Sequence, residues 1–104
     1  MSIKSVLREE LDNSLRMQER YEQGLSKLPR GSLVKRLISG HEYYYLVYRD
    51  DGKVRSVYRG KSDAEEIARY RAARDQRAKY RKLLSKAKRQ VRFLRGVLRG
   101  KESI

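Results

Sequence analysis

The chain has 104 residues, 27 Lys plus Arg against 13 Asp plus Glu, and a formal net charge of +14; it reads as one small domain whose 38% apolar content leaves no room for a deep multilayer core or a buried-cleft enzyme. The absence of Cys and the presence of a single His, His41, exclude disulfides, thiolate metal sites, His clusters and a Ser-His-Asp triad, so no cofactor or metal is expected. The longest uncharged run, Tyr43 to Tyr48, is far short of the ~20 residues a membrane span needs, and Lys4, Arg8, Glu9 and Glu10 interrupt any signal-peptide core, which predicts a cytoplasmic protein with no membrane partner.

Residues 2–27 are predicted to form a first helix. Ile3, Leu7, Leu11, Leu15, Tyr21, Leu25 and Leu28 recur mostly at steps of three or four, the stripe of an amphipathic helix, and Pro29 ends it. Residues 31–60 read as an antiparallel β-meander. Its strands are Leu33–Ile38, His41–Arg49 and Lys53–Arg59, separated by Ser39-Gly40 and Asp50-Asp51-Gly52. With a three-residue loop at 50–52, period-two alternation places Tyr44, Leu46, Tyr48, Val54 and Tyr58 on a packed face. Tyr43, Tyr45, Val47, Arg49, Lys53, Arg55, Val57 and Arg59 then fall on an exposed one, and a one-residue slip would mix the two sets.

Residues 63–99 are predicted to form a long second helix. Ser62-Asp63-Ala64-Glu65 fits a capping box with Ser62 as the cap. An apolar seam passes through Ile67, Tyr70, Ala73, Tyr80, Leu84, Ala87, Val91, Leu94 and Leu98, with a heptad rhythm from Tyr80 onward. Arg77 and Arg95 lie near this seam, where they are expected to snorkel or to pair with carboxylates of the first helix. Residues 101–104 are left as a tail.

The economical assembly is an α+β fold: an antiparallel helical hairpin with the three-stranded meander inserted at its bend. If the helices align from the bend, the first reaches about residue 90 of the second. Leu94, Val97 and Leu98 would then lack an internal partner and offer themselves to a second copy or another protein.

The charge is lopsided. Residues 1–28 are neutral, 29–61 hold eight bases against three acids, and 62–104 hold fourteen against five. Between Gln76 and Lys101 stand eleven bases and no acid, a pattern that solubility alone does not require and that fits a polyanionic partner. Opposite the seam lie Arg71, Lys82, Lys86 and Arg89, flanked by Arg81, Lys88 and Arg92 on one side and by Lys79 on the other. Such a rail neutralises phosphates without selecting bases.

The presumed exposed sheet face adds Arg49, Lys53, Arg55 and Arg59, with Tyr43 and Tyr45 available for stacking on bases; a basic β-ribbon can also enter a major groove. His41 and the pair Asp50-Asp51 are explained as ordinary turn residues, and Gly31, Gly40, Gly52 and Gly60 sit at turns rather than in a phosphate loop. No catalytic constellation can be assembled, so the chain is not expected to be an enzyme.

The segments Gly31-Ser32-Leu33-Val34-Lys35, Tyr43-Tyr44-Tyr45-Leu46-Val47-Tyr48-Arg49 and Gly52-Lys53-Val54-Arg55-Ser56-Val57-Tyr58-Arg59-Gly60-Lys61 resemble a group of short prokaryotic and phage-associated proteins built as helix, meander, helix. The meander also resembles the three-stranded DNA-binding arm domain of phage integrases. That resemblance implies DNA contact by the sheet through Arg49, Lys53, Arg55 and Arg59, although the recombinase catalytic domain is missing and a long basic helix is added. The expected function is therefore a nucleic-acid-binding module of phage or mobile-element type. One alternative is an anti-CRISPR-like inhibitor that docks on a nucleoprotein complex through the same basic surface. The other is a helical-hairpin adaptor that forms homo-oligomers through Leu94, Val97 and Leu98.

Overall fold

The computed structural model describes residues 2–102. Its elements are α1 (Ile3–Ser26), β1 (Ser32–Ile38), β2 (His41–Asp50), β3 (Lys53–Gly60) and α2 (Ala64–Glu102), an α+β chain in the expected helix–meander–helix order. The start of α1 is held by Ser2, whose Oγ accepts a hydrogen bond from the Ser5 N–H at 3.1 Å. The cap of α2 is Asp63 and not Ser62: Asp63 Oδ1 accepts from the Glu66 N–H at 2.7 Å. Both residue types cap well, but a carboxylate also meets the positive end of the helix dipole. Ser62 Oγ is instead buried without a hydrogen-bond partner. At the other end α2 continues through Gly96 and Gly100, so Lys101 and Glu102 belong to the helix and not to a tail; residues 103–104 lie outside the described residues.

The chain divides into two compact units, one joining α1 to α2 from Ala78 onward and the other running Leu28–Arg77. In the helical unit the two helices are antiparallel. The Tyr21 and Tyr80 rings lie 6.2 Å apart; Ser14 and Met17 line a cleft with Leu83, Ala87 and Gln90; and Leu11 lines another with Leu98. Ser14 is 3% exposed and Ala87 is also buried, so small side chains occupy the seam on both helices and allow close approach.

Gly24 serves the same packing. A Cβ there would stand 2.7 Å from Cζ of Tyr80. Gly24→Ala should gain about 1 kcal/mol of helix propensity but lose about 1–3 kcal/mol to overpacking against that ring. A lowered melting temperature in circular dichroism is the expected result, and a raised one would show that the Tyr80 ring yields without strain.

The expected exposure of Leu94, Val97 and Leu98 is overturned. Leu94 and Leu98 retain only 5% and 6% of their surface, and Val97 is half-buried. Residues 64–77 of α2 are committed to the sheet unit, so α1 meets α2 from about Tyr80 onward and not from the bend. The 24 residues of α1 span ~36 Å and reach the end of α2 from that start.

In the other unit the sheet has the order β1-β2-β3, antiparallel throughout. Both hairpins close with two-residue turns. Ser39 and Gly40 have φ of 52° and 80°, and Asp51 and Gly52 have 55° and 79°, the paired positive values of a type I′ turn. The second turn is one residue shorter than expected: Asp50 pairs with Lys53, Arg49 with Val54, Val47 with Ser56 and Tyr45 with Tyr58. Directly paired residues share a face, so the sorting of β3 is reversed. Val54 and Tyr58 join Tyr45, Val47 and Arg49, while Lys53, Arg55 and Val57 join Tyr44, Leu46 and Tyr48. A register irregularity at Tyr44/Tyr45 opposes Tyr44 to Gly60 and leaves Arg59 at the extra position of β3.

The face carrying Leu33, Lys35 and Tyr44 meets Ile67 and Tyr70 of α2. Arg77 takes a seam position between Ala73 and Tyr80, and its role differs from the one expected. Its guanidinium donates to the carbonyl oxygens of Pro29 at 2.6 Å and of Gly31 at 3.5 Å, anchoring the segment that enters β1.

Candidate functional site

Two surfaces carry unneutralised positive charge. The first lies on α2 within the helical unit. The seam Tyr80, Ala87, Val91, Leu94, Leu98 is turned to α1, and the rest of the circumference is mostly polar, with the exposed Phe93 set among the cations. Lys79, Arg81, Lys82, Lys86, Lys88, Arg89 and Arg92 are all exposed. Among the described residues none of these seven takes part in an ion pair or side-chain hydrogen bond. Arg81, Lys88, Arg92 and Arg95 follow one another at steps of seven, four and three, forming a stripe along one flank, with Lys79, Lys82, Lys86 and Arg89 on the remaining arc. From Lys79 to Arg92 the cations cover about 20 Å of a rigid rod. α1 carries five acids against four bases, and its side-chain bonds are largely internal: Gln18 Nε2 donates to Glu22, Gln23 Nε2 to Glu19, and Arg16 to Asn13.

The second surface is the sheet face opposite the one that meets α2. Register and the period-two pleat place Arg36, His41, Tyr43, Tyr45, Arg49 and Tyr58 there, with Val34, Val47 and Val54 beside them. The aromatic rings form a continuous chain of edge and tilted contacts. His41 to Tyr43 is 6.4 Å between centroids, Tyr43 to Tyr58 6.1 Å and Tyr45 to Tyr58 5.4 Å. The Arg36 guanidinium stands 5.6 Å from the centroid of Tyr45. Tyr58 remains 57% exposed.

The two faces differ in charge balance. On the α2 side Lys35 pairs with Glu42 at 3.4 Å and Arg55 with Asp50 at 3.2 Å. The opposite face has the cations Arg36 and Arg49 and no carboxylate at any of its register positions. The structure thus separates the sheet cations named from the sequence. Arg49 stands with Tyr43 and Tyr45, Lys53 and Arg55 point to the other side, and Arg59 sits at the bulge. A ribbon presenting all four cations to one groove is not formed.

The model of a domain of unknown function, DUF6788, matches residues 3–69. The chain belongs to the DUF6788 family. No curated protein and no solved structure matches it. The DUF6788 match takes in α1, the whole meander and the first turns of α2, so the tyrosine face lies inside it and Lys79 to Arg92 lie beyond its end. Within this DUF6788 domain, sequence reasoning left out Arg36, read His41 as an ordinary turn residue and placed Tyr58 on the packed face. The signal was present in Asp51-Gly52 and Ser39-Gly40: read as two-residue type I′ turns, they set Tyr58 opposite Tyr45 and Arg36 opposite Tyr43. Among the described residues no group of three or more His, Asp or Glu is placed to hold a metal, and no helix is long and apolar enough to cross a membrane.

Proposed function

We propose that the protein is a non-enzymatic nucleic-acid-binding protein of phage or mobile-element type, which grips the phosphate backbone with the cations of α2. The observation that carries this reading is the exposed, unpaired set Lys79, Arg81, Lys82, Lys86, Lys88, Arg89 and Arg92 in a stretch with no acid from Gln76 to Lys101. Like charges crowded on one rod repel each other and weaken the folded state. A polyanion relieves that repulsion and gains the entropy of its released counterions. The rail offers positive charge at helical spacing, and contacts to phosphate carry no sequence information, so the grip follows charge and not sequence.

Fluorescence-anisotropy titrations against single- and double-stranded DNA and RNA at two salt concentrations test it. Affinity should fall steeply with salt, with a logarithmic slope on duplex DNA of about 0.9 per phosphate contacted. Absence of binding to every oligonucleotide, or binding that salt leaves unchanged, would remove the proposal.

A further inference from the structure

We infer that the sheet face bearing Tyr43, Tyr45, Tyr58, Arg36 and Arg49 is a stacking platform for unpaired nucleobases, so that the preferred ligand is single-stranded nucleic acid. This rests on the nucleic-acid reading above and adds the state of the strand to it.

The tyrosines are the first ground. Tyr44, on the α2-facing side, packs beside Ile67 and Tyr70. Tyr43, Tyr45 and Tyr58 are on the other side, and they meet one another at interplanar angles of 41° and 62°. One contact is edge-on and the other tilted, so neither stacks the rings face to face, and a further flat partner can lie on them. Tyr58, the ring common to both contacts, is more than half exposed.

Charge is the second ground. Arg36 and Arg49 have no carboxylate on their face, whereas the cations of the opposite face are paired with Glu42 and Asp50. A second copy presenting this face would set like charges together with nothing to neutralise them. A strand of nucleic acid brings both the flat rings and the negative charge that the face lacks. Only unpaired bases expose their ring faces; in a duplex these are closed within the stack. The Arg36 guanidinium over one face of Tyr45, 5.6 Å from its centroid, is itself a planar cation on which a base can stack.

The test uses the full chain with oligo-dT and oligo-U of about 12 nucleotides, a length within the range that aromatic single-strand sites span, and a duplex of equal length. Tyr58→Ala should lower affinity for both single strands about tenfold, the loss expected for one stacked base, and leave the duplex unchanged. Tyr58→Phe, which keeps the ring, should bind as the wild type does. Photocrosslinking of a 5-bromouracil-substituted strand to the unmodified protein needs no variant, and its adducts should map to Tyr43, Tyr45 or Tyr58. Adducts confined to α2, together with equal losses on single strand and duplex for Tyr58→Ala, would overturn the stacking platform and leave the phosphate grip standing. Failure of the wild-type protein to bind any of the three probes would overturn the nucleic-acid reading itself.

Discussion

Combining Lys82→Glu, Lys86→Glu and Arg89→Glu is expected to weaken nucleic-acid binding about a hundred- to a thousand-fold at low salt and to lower the salt slope on duplex DNA by about 3. The three side chains are exposed and have no ion-pair or side-chain hydrogen-bond partner among the described residues, although Lys86 also lines the cleft with Ser14, Met17 and Tyr21 of α1. Their replacement should leave the far-UV circular dichroism unchanged; substitutions at such surface sites each move stability by about 0.5 kcal/mol or less. Binding loses three attractions and gains three repulsions, and both act over the same ~10 Å of helix. Unaltered affinity and an unaltered slope would show that these cations only solvate the helix. A loss of the same size with no change in slope would point to damage elsewhere than at phosphate contacts.

The second large effect is on folding. Leu94→Ser with Leu98→Ser should destabilise the helical unit by about 5 kcal/mol or more, because each substitution leaves a cavity and buries a hydroxyl. Both leucines are almost wholly enclosed, and Leu98 adjoins Leu11 of α1. A domain of this size holds only about 5–15 kcal/mol in total, so the double variant is expected to lose helical signal at ordinary temperature. A leucine pair serving as a surface patch for a second copy predicts the opposite: a folded protein that sediments as a monomer and melts as the wild type does. Circular dichroism and sedimentation on the same samples separate the two outcomes. With Leu94 and Leu98 inside, the large apolar side chain left exposed on this helix is Phe93, at 68%.

Periodicity alone revealed much of this molecule. The three- and four-residue steps of α1, the seam from Tyr70 to Leu98, the turn at Ser39-Gly40 and the order helix, meander, helix are local patterns, and local backbone geometry enforces them. The acid-free basic stretch of α2 was equally legible, since a stretch so rich in Lys and Arg cannot hide its charges inside a thin core and must expose them. Two features were not settled by local pattern. The burial of Leu94 and Leu98 depends on where α1 lands along α2, and that follows from the meander claiming residues 64–77 first, with Arg77 tied to the carbonyls of Pro29 and Gly31. The company that Tyr58 keeps depends on a single residue in the 50–53 turn, because a side-chain period of two turns a one-residue change of loop into an exchange of faces. Local pattern was enough to say which elements form and which of them carry the charge. Which side chains share a surface emerged only from the folded chain, because cross-strand register and helix pairing depend on contacts between residues far apart in the sequence.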